Sequence, residues 1–259
     1  MKRRLKLVIS LLVRAWDILH DAALSLVGLQ APPRCVVLYY HEIPAAGRAS
    51  FARQMDTLVS RTCAVPASFN GSLQPGRHYS VVTFDDGFVS TMENALPECH
   101  SRRIPATIFI PSGSLGRRPA WVTRTSSPAW NETVMTADQV RELKRFNLLT
   151  IGAHSITHPD FTTLAREQAD RELRQSRADL EALSGKPVDL FSFPHGKFTP
   201  ETLDLAKAAG YQRVFSVRPI PVNRAPAPYV VGRVSVSADD WPLEFKLKLM
   251  GAYRWMANI

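Results

Sequence analysis

Residues 81–87 read Val81-Val82-Thr83-Phe84-Asp85-Asp86-Gly87, an apolar run that ends in two carboxylates and a glycine. Valine, threonine and phenylalanine favour a pleated strand, and the apolar run that ends at Phe84 is short enough to be one buried strand. Gly87 allows a turn, because a residue without a Cβ adopts positive φ without a clash. The turn can bring both carboxylates to one concavity, where they need a cation or a shared proton. An Asp-Gly turn that only caps a strand is an equally good interpretation of these residues taken alone.

A second apolar run, from Leu148 to Ala153, ends in His154-Ser155-Ile156-Thr157-His158-Pro159. Two histidines four residues apart can direct their rings at one ion. Proline disfavours helical backbone at the residue before it, so we place the pair in a tight loop at a strand end. One carboxylate and two imidazoles form an open site for a divalent metal, with positions left for water and substrate. The histidine pair alone is a weak indication, and its combination with Asp-Asp-Gly is much more specific.

The two stretches resemble the first two motifs of the polysaccharide deacetylases, the NodB-homology domain of carbohydrate esterase family 4. The resemblance covers residues 34–236 and implies an α/β fold, a distorted (β/α) barrel with about seven strands and chemistry at the strand C-terminal ends, as in barrels generally. It implies a metal-dependent N-deacetylase in which Asp86, His154 and His158 hold the metal and Asp85 is the general base. Zn²⁺ is the expected metal, with Co²⁺ or Ni²⁺ as alternatives.

His41 directly follows the apolar run from Cys35 to Tyr40, which reads as the first strand. Tyr40-His41-Glu42-Ile43 resembles a motif at the start of the exopolysaccharide branch of the family, typified by poly-N-acetylglucosamine deacetylases, which is circularly permuted. Many other members carry Leu-x-His near the C-terminus, and no such motif follows His195 here. The resemblance therefore implies that His41 is the acid that protonates the leaving amine. Without it, a satisfied core histidine remains an alternative.

Residues 191–196, Phe-Ser-Phe-Pro-His-Gly, resemble the third motif of the family in its exopolysaccharide form. The sequence departs from the family pattern at Ser192, where many members have the arginine that holds the catalytic aspartate, and at His195, which replaces the usual tyrosine. The resemblance keeps an oxyanion-binding role for the backbone N–H of His195. Arg233, in Val-Gly-Arg-Val-Ser-Val, is our candidate for the missing arginine, and a surface ion pair is the alternative reading.

The composition is that of one substantial core, with 259 residues of which 45% are hydrophobic and 21% charged. The formal charge of +9 comes from 32 basic and 23 acidic residues, which fits a solvated basic surface or attraction to anionic lipid or polymer. No nucleic-acid-binding module is recognisable, so nucleic acid is not an expected partner. The odd count of three cysteines without CxxC spacing argues against a disulfide framework or a structural zinc site.

Two flanking segments border the predicted barrel at 34–236: a basic, amphipathic N-terminal helix in 1–33 and a basic-aromatic tail in 237–259. The first is too interrupted by charge for a transmembrane helix and poor as a cleavable signal. Its apolar face consists of Leu5, Val8, Leu12, Trp16, Leu19, Ala23 and Leu26. This face either packs on the barrel or lies in a membrane interface.

The C-terminal tail repeats this character, since Phe245, Leu249, Tyr253 and Trp255 alternate with basic residues. Two such ends would supply the two weak anchors that stable membrane association usually needs, so we expect peripheral membrane contact through both termini. The compartment stays open. Exopolysaccharide relatives usually act outside the cytoplasm, whereas the poor signal and the odd cysteine count favour the inside.

The predicted function is removal of N-acetyl groups from an acetylated amino-sugar polymer or glycan. One alternative is an amide hydrolase of the same fold that acts on a small or lipid-linked substrate. Another is a catalytically impaired sugar-binding or membrane assembly protein, suggested by the absent third-motif arginine. The loop at 112–133 carries Trp121 and Trp130, which could stack on sugar rings or pack the loop down.

Overall fold

A parallel sheet forms the centre of the protein in the computed structural model, which describes residues 2–223 and 228–258. The strands of this described part are β1 (Arg34–Tyr40), β2 (Cys63–Ala64), β3 (His78–Phe84), β4 (Ala106–Ile110), β5 (Leu149–Ala153), β6 (Leu190–Ser192), β7 (Arg213–Phe215), β8 (Val230–Val231) and β9 (Val234–Ser235). Their spatial order is β8-β7-β6-β5-β4-β3-β1-β9, and β2 lies off this path beside β3.

The two ends of the sheet meet in one short segment of chain. β8 pairs with β7, and β9 pairs with β1 at the opposite end of the path. Only Gly232 and Arg233 separate β8 from β9, so these two strands share one position and curl the sheet round. The predicted distorted (β/α) barrel is confirmed, with seven strand positions for the eight strands on the path.

The C-terminal ends of the strands lie at one edge of the barrel. Tyr40 pairs with Phe84, and Ile110 pairs with Ala153. The polar residues that directly follow three of these strands are His41, Asp85 and His154. Residues far apart in the sequence therefore reach the same rim because parallel strands end at a common edge.

Helices cover the outside of the barrel. Their bounds are α1 (Arg3–Leu26), α2 (Arg48–Arg61), α3 (Leu96–Ser101), α4 (Ala137–Glu142), α5 (Arg166–Ser184), α6 (Pro200–Ala208) and α7 (Pro242–Leu249). A capping box formed by Thr136 and Gln139 begins α4. Helix α5 ends at Gly185, whose φ of 68° suits a residue without a Cβ.

Two apolar layers stabilise the barrel. The outer layer lies between sheet and helices, where Phe51, Met55 and Leu58 of α2 are fully buried. The inner layer fills the barrel with side chains that include Val37, Phe109 and Phe215. Alternate residues of each strand serve the two layers, because successive side chains of a strand point to opposite faces.

Helix α1 lies against the protein, but its polar side faces inward. Ser10 and Asp17 are buried, whereas Leu12, Trp16 and Leu19 of the predicted apolar face are exposed. Packing of that face on the barrel, one of the two predicted alternatives, is therefore wrong. No helix within 2–223 or 228–258 has both the length and the apolarity needed to span a bilayer.

The C-terminal segment packs into the outer apolar layer. Phe245, Leu247, Leu249 and Tyr253 are all buried there. The expected membrane contact of the C-terminal end needs these side chains on the surface. Their burial removes that basis, because the tertiary fold already uses their apolar area.

Candidate active site

Three side chains converge beyond the C-terminal ends of β3 and β5. The Oδ1 atom of Asp86 lies 3.5 Å from Nε2 of His154 and 3.3 Å from Nε2 of His158. One potential ligand atom from each residue lies within 4.8 Å of the other two, and all three residues are buried. The predicted metal-binding residues are therefore brought together.

The unsatisfied polar atoms of this cluster fit a bound cation. Asp86 Oδ1 is buried without a hydrogen-bond partner, which is costly for a carboxylate oxygen unless a cation binds it. The Nδ1 of His154 lies 2.6 Å from the carbonyl oxygen of Ser192, to which it can only donate. This bond fixes the tautomer and leaves the Nε2 lone pair free toward Asp86, as in histidines that bind metals. The donor set, one carboxylate and two imidazoles, suits a divalent transition metal.

Burial and charge set the protonation of the cluster. Burial lowers the pKa of His154 to about 4, so its ring is neutral near pH 7 and can act as a ligand. Burial by itself would raise the pKa of Asp86. Interactions with the nearby histidines, that with His158 first, outweigh it and hold that pKa well below the usual range.

Left-handed backbone shapes both ligand loops. Asp86 has a φ of 67°, which turns its side chain away from the direction of β3. Ser155 and His158 have φ values of 65° and 61°, so the chain folds into a tight loop rather than a helix, as the following proline predicts. Three non-glycine residues in this region are a strained arrangement that only surrounding contacts can maintain.

Glu172 of α5 supplies such contacts. Its carboxylate accepts hydrogen bonds from the backbone N–H of Ile156 at 2.7 Å, the backbone N–H of Thr157 at 3.0 Å and the Thr157 hydroxyl at 2.7 Å. These charge-assisted bonds fasten the loop that carries both histidines. No local sequence motif marks Glu172.

Asp85 is held by the arginine proposed to replace the missing one. Nη1 and Nη2 of Arg233 donate to Oδ1 and Oδ2 of Asp85, each at 2.7 Å. Nη2 also donates to the Ser192 hydroxyl at 2.8 Å. The serine that stands where many family members have an arginine therefore contacts the guanidinium of Arg233. The alternative of a surface ion pair is wrong, because Arg233 is only 1% exposed.

The pKa of Asp85 reflects two opposing effects. Burial raises it, but the charge of Arg233, the charge of His154 and the Arg233 hydrogen bonds together lower it below the ordinary value. Asp85 is therefore ionised at neutral pH. Each carboxylate oxygen has two lone pairs, so the two hydrogen bonds from Arg233 leave Asp85 able to accept a further proton donor.

His41 and His195 both line the same cleft. His41 follows β1 and lines the cleft together with Asp85 and Asp86. His195 is exposed in a turn with a φ of 58°, and its ring centroid lies 4.7 Å from that of His158.

An open cleft with a volume of about 800 Å³ surrounds these groups. Trp121 lines it and stacks on His158, with ring centroids 4.2 Å apart and an angle of 15° between the planes. Trp130 instead contacts Arg118, whose guanidinium carbon lies 4.7 Å from its ring centroid. The two tryptophans of the loop thus differ: Trp121 faces the site, and Trp130 packs the loop.

The sequence model of the polysaccharide deacetylase family matches residues 73–214, and the chain belongs to this family. Its members are hydrolases that depend on a metal and remove acetyl groups bound through amides in polysaccharides. The fold, the open cleft and the aspartate-histidine-histidine cluster agree with that class.

Similar proteins support the assignment. A putative polysaccharide deacetylase of Bacillus subtilis, YxkH, is 23% identical over 229 residues, covering 84% of this chain and 77% of the relative. The structure of IcaB from Ammonifex degensii superposes with a TM-score of 0.70 at 27% identity, covering 85% of this chain and 98% of IcaB. The Streptococcus pyogenes deacetylase PplD, with 17% identity and a TM-score of 0.67, shares the fold over 85% of this chain and 99% of its own.

Proposed function

We propose that the chain removes N-acetyl groups from an acetylated amino-sugar polymer, with Asp86, His154 and His158 as metal ligands and Asp85 as general base. One observation carries this proposal: a buried three-residue donor set lies directly beside a carboxylate gripped by Arg233. Zn²⁺ fits best because it favours imidazole and carboxylate ligands and readily leaves a position open for substrate. Co²⁺ and Ni²⁺ prefer related donors and are the alternatives.

A divalent cation in this cluster would supply Lewis acidity, which polarises a carbonyl oxygen and makes a water molecule more acidic. Asp85 accepts the proton from the attacking water, since it is ionised and adjoins the cluster. Arg233 keeps both oxygens of Asp85 in place during that transfer. Ser192 links the proposed base to the metal ligands. Its hydroxyl accepts a hydrogen bond from Arg233, and its carbonyl oxygen accepts one from the His154 ring.

His41 and His195, which line the same cleft, complete the proposed site. His41 donates a proton to the leaving nitrogen, because an amine leaves poorly unless it is protonated. The backbone N–H of His195 stabilises the negative oxygen that forms on the acetyl carbon. This role is consistent with the position of His195 at a tight turn with positive φ on the wall of the cleft.

The shape of the cleft supports a glycan substrate over a small molecule. It is open and bordered by Trp121, whose stacking on His158 leaves the indole at the wall of the site. An open groove accommodates a chain that extends beyond the reacting sugar. The resemblance to the exopolysaccharide branch favours a poly-N-acetylglucosamine-like polymer, and peripheral membrane contact is proposed for the exposed face of α1 and the exposed start of α7.

Acetate release from N-acetylglucosamine oligomers tests the proposal. The Asp85→Asn variant should retain its metal but lose turnover by about 100-fold or more, the usual scale for general base catalysis. Asp170→Asn on the surface of α5 is the matched control and should behave like the wild type. Metal analysis on the same samples distinguishes a deacetylase from a catalytically impaired sugar-binding protein. In the second case the wild type would hold metal without releasing acetate. Normal turnover by Asp85→Asn would exclude it as the base.

A further inference from the structure

Helix α1 is attached to the protein by its polar stripe. Three contacts to the C-terminal segment fix it: Arg3 to Glu244 at 2.7 Å, Ser10 to Trp255 at 3.0 Å and Asp17 to Arg254 at 2.6 Å. These α1 residues are seven apart, which places them on one side of a helix. Of its apolar side chains, Leu7 and Val13 are partly buried against the core, and the contacts leave most of the other large apolar side chains of α1 facing outward.

The outward side of α1 is mainly apolar. Sixteen large apolar side chains are exposed in the described part of the chain, and ten of them belong to the segment from Leu5 to Leu29. Leu12, Trp16 and Leu19, at its middle, are 66%, 67% and 67% exposed. Apolar side chains scattered singly over a surface need no explanation, but a continuous patch of this kind marks an interaction site.

The exposed charges that α1 itself offers beside the patch are basic. The two acidic residues of α1 are paired on the inner side, Asp17 with Arg254 and Asp21 with Arg34. At the N-terminal end, Lys2 and Arg4 are exposed, so the charge offered beside the patch is positive.

Exposed residues of the neighbouring α7 extend the same surface. Trp241 and Leu243 are exposed at the start of this helix, and the guanidinium carbon of Arg3 lies 4.4 Å from the centroid of the Trp241 ring. Lys246 of α7 is exposed as well. The surface therefore combines an apolar stripe, interfacial tryptophans and basic side chains.

We propose that this surface, the outward face of α1 with Trp241 and Leu243, binds an anionic lipid surface. A helix that lies flat in a membrane interface buries such a stripe among acyl chains while basic residues meet anionic headgroups. The stripe is the convex side of one helix of 24 residues, about 36 Å long at 1.5 Å per residue, which matches a plane better than a groove. The inference does not depend on the reaction that the cleft carries out.

The position of α1 decides how the cleft would face the membrane. Its N-terminal end meets Asp239, just beyond β9, at the rim that carries the active site. Its C-terminal half meets Arg34, at the start of β1 and the opposite end of the barrel. The helix thus runs along the barrel flank, so the cleft opens beside the lipid surface and meets glycans presented there.

Vesicle co-sedimentation of the full chain tests this inference. The probe is a phosphatidylcholine vesicle with or without about one third phosphatidylglycerol. We expect the wild type to pellet with the anionic vesicles, and the double variant Leu12→Ser, Leu19→Ser to bind about tenfold less or weaker, from the apolar area lost. The double variant Val59→Ser, Leu148→Ser removes exposed apolar side chains elsewhere and is the matched control. It should bind like the wild type.

A charge-reversal variant and a solution measurement keep the test decisive. Lys2→Glu, Arg4→Glu should weaken binding to anionic vesicles and leave binding to pure phosphatidylcholine unchanged. Circular dichroism should show that all variants fold, because none of the altered side chains is buried. A wild type that stays in the supernatant would overturn the proposal. So would a dimer in vesicle-free light scattering that Leu12→Ser, Leu19→Ser dissociates, since a second copy would then cover the face.

Discussion

Replacement of Arg233 by methionine tests the contact on which both the fold and the proposed base depend. The guanidinium makes two 2.7 Å bonds to Asp85, and further bonds to Ser192, Thr83 and the Ser216 carbonyl. Methionine fills much of the same volume without charge. The change leaves the Asp85 carboxylate buried without its cationic partner.

The expected loss of stability is large. Removal of one partner of a buried ion pair costs about 3–5 kcal/mol, because the remaining charge is uncompensated. In a chain of this size each kcal/mol shifts Tm by about 2–4 °C, so Arg233→Met should lower Tm by between about 6 and 20 °C. Turnover should fall as well, because the proposed base is no longer oriented.

The pH dependence of this loss has a defined sign. The folded-state pKa of Asp85 lies below its ordinary value, so the paired carboxylate stabilises the fold above the unfolded-state pKa of about 3.9. That contribution disappears as the pH falls through the folded-state pKa. The difference in unfolding free energy between wild type and Arg233→Met should therefore be greatest at neutral pH and shrink below about pH 4.

Urea or thermal unfolding monitored by circular dichroism measures these quantities, with a chelator in both samples so that metal binding does not contribute. Arg166→Met is the control: Arg166 also lies 2.7 Å from a carboxylate, that of Glu201, but both side chains are exposed. Such a pair is worth about 0–1 kcal/mol. If Arg233→Met were no less stable than Arg166→Met, the buried pair of Arg233 and Asp85 would not stabilise the fold.

Three further predictions concern the metal, its loop and the proposed acid. Added Zn²⁺ should stabilise the wild type, by about 2.7 kcal/mol at 100 times Kd, but not Asp86→Ala; equal stabilisation in thermal melts would remove Asp86 from the ligand set. Glu172→Gln should weaken metal binding by about 10- to 100-fold in a chelator competition, because the histidine loop loses charge-assisted bonds, whereas Glu167→Gln on the same helix should not. His41→Ala should lose far more turnover on N-acetyl sugars than on an activated acetyl ester, whose leaving group needs no proton. Similar losses on both substrates would argue that His41 only positions substrate.

The strands and loops of the cluster could be predicted because their signals are local. Each signal concerns only a few consecutive residues: the apolar strand that ends at Phe84, the glycine after Asp86 that allows a turn, and the proline after His158 that disfavours a helix. A parallel barrel brings the C-terminal ends of its strands to one rim. Because each motif follows a strand, the sequence was enough to predict that the carboxylates and histidines lie together.

The partners of these groups could be found only in part. Arg233 was a candidate because an arginine was missing from the third motif, yet 148 residues separate it from Asp85 and the sequence left a surface pair open. Glu172 was missed altogether, since one glutamate among many on a charged helix carries no mark of the loop that it meets. The stacking of Trp121 on His158 likewise depends on how a long loop folds back.

Local sequence signals account for the elements and the chemistry that they carry: strands that end in carboxylates and histidines, a turn at Gly87 and amphipathic ends. The tertiary structure alone decided what those elements face. Periodicity shows that α1 has an apolar side, but ion pairs to residues more than 200 positions away hold its polar side to the protein. The similar C-terminal segment is buried instead. The physical reason is that burial of an apolar face depends on which surfaces become neighbours, and only the folded chain determines that.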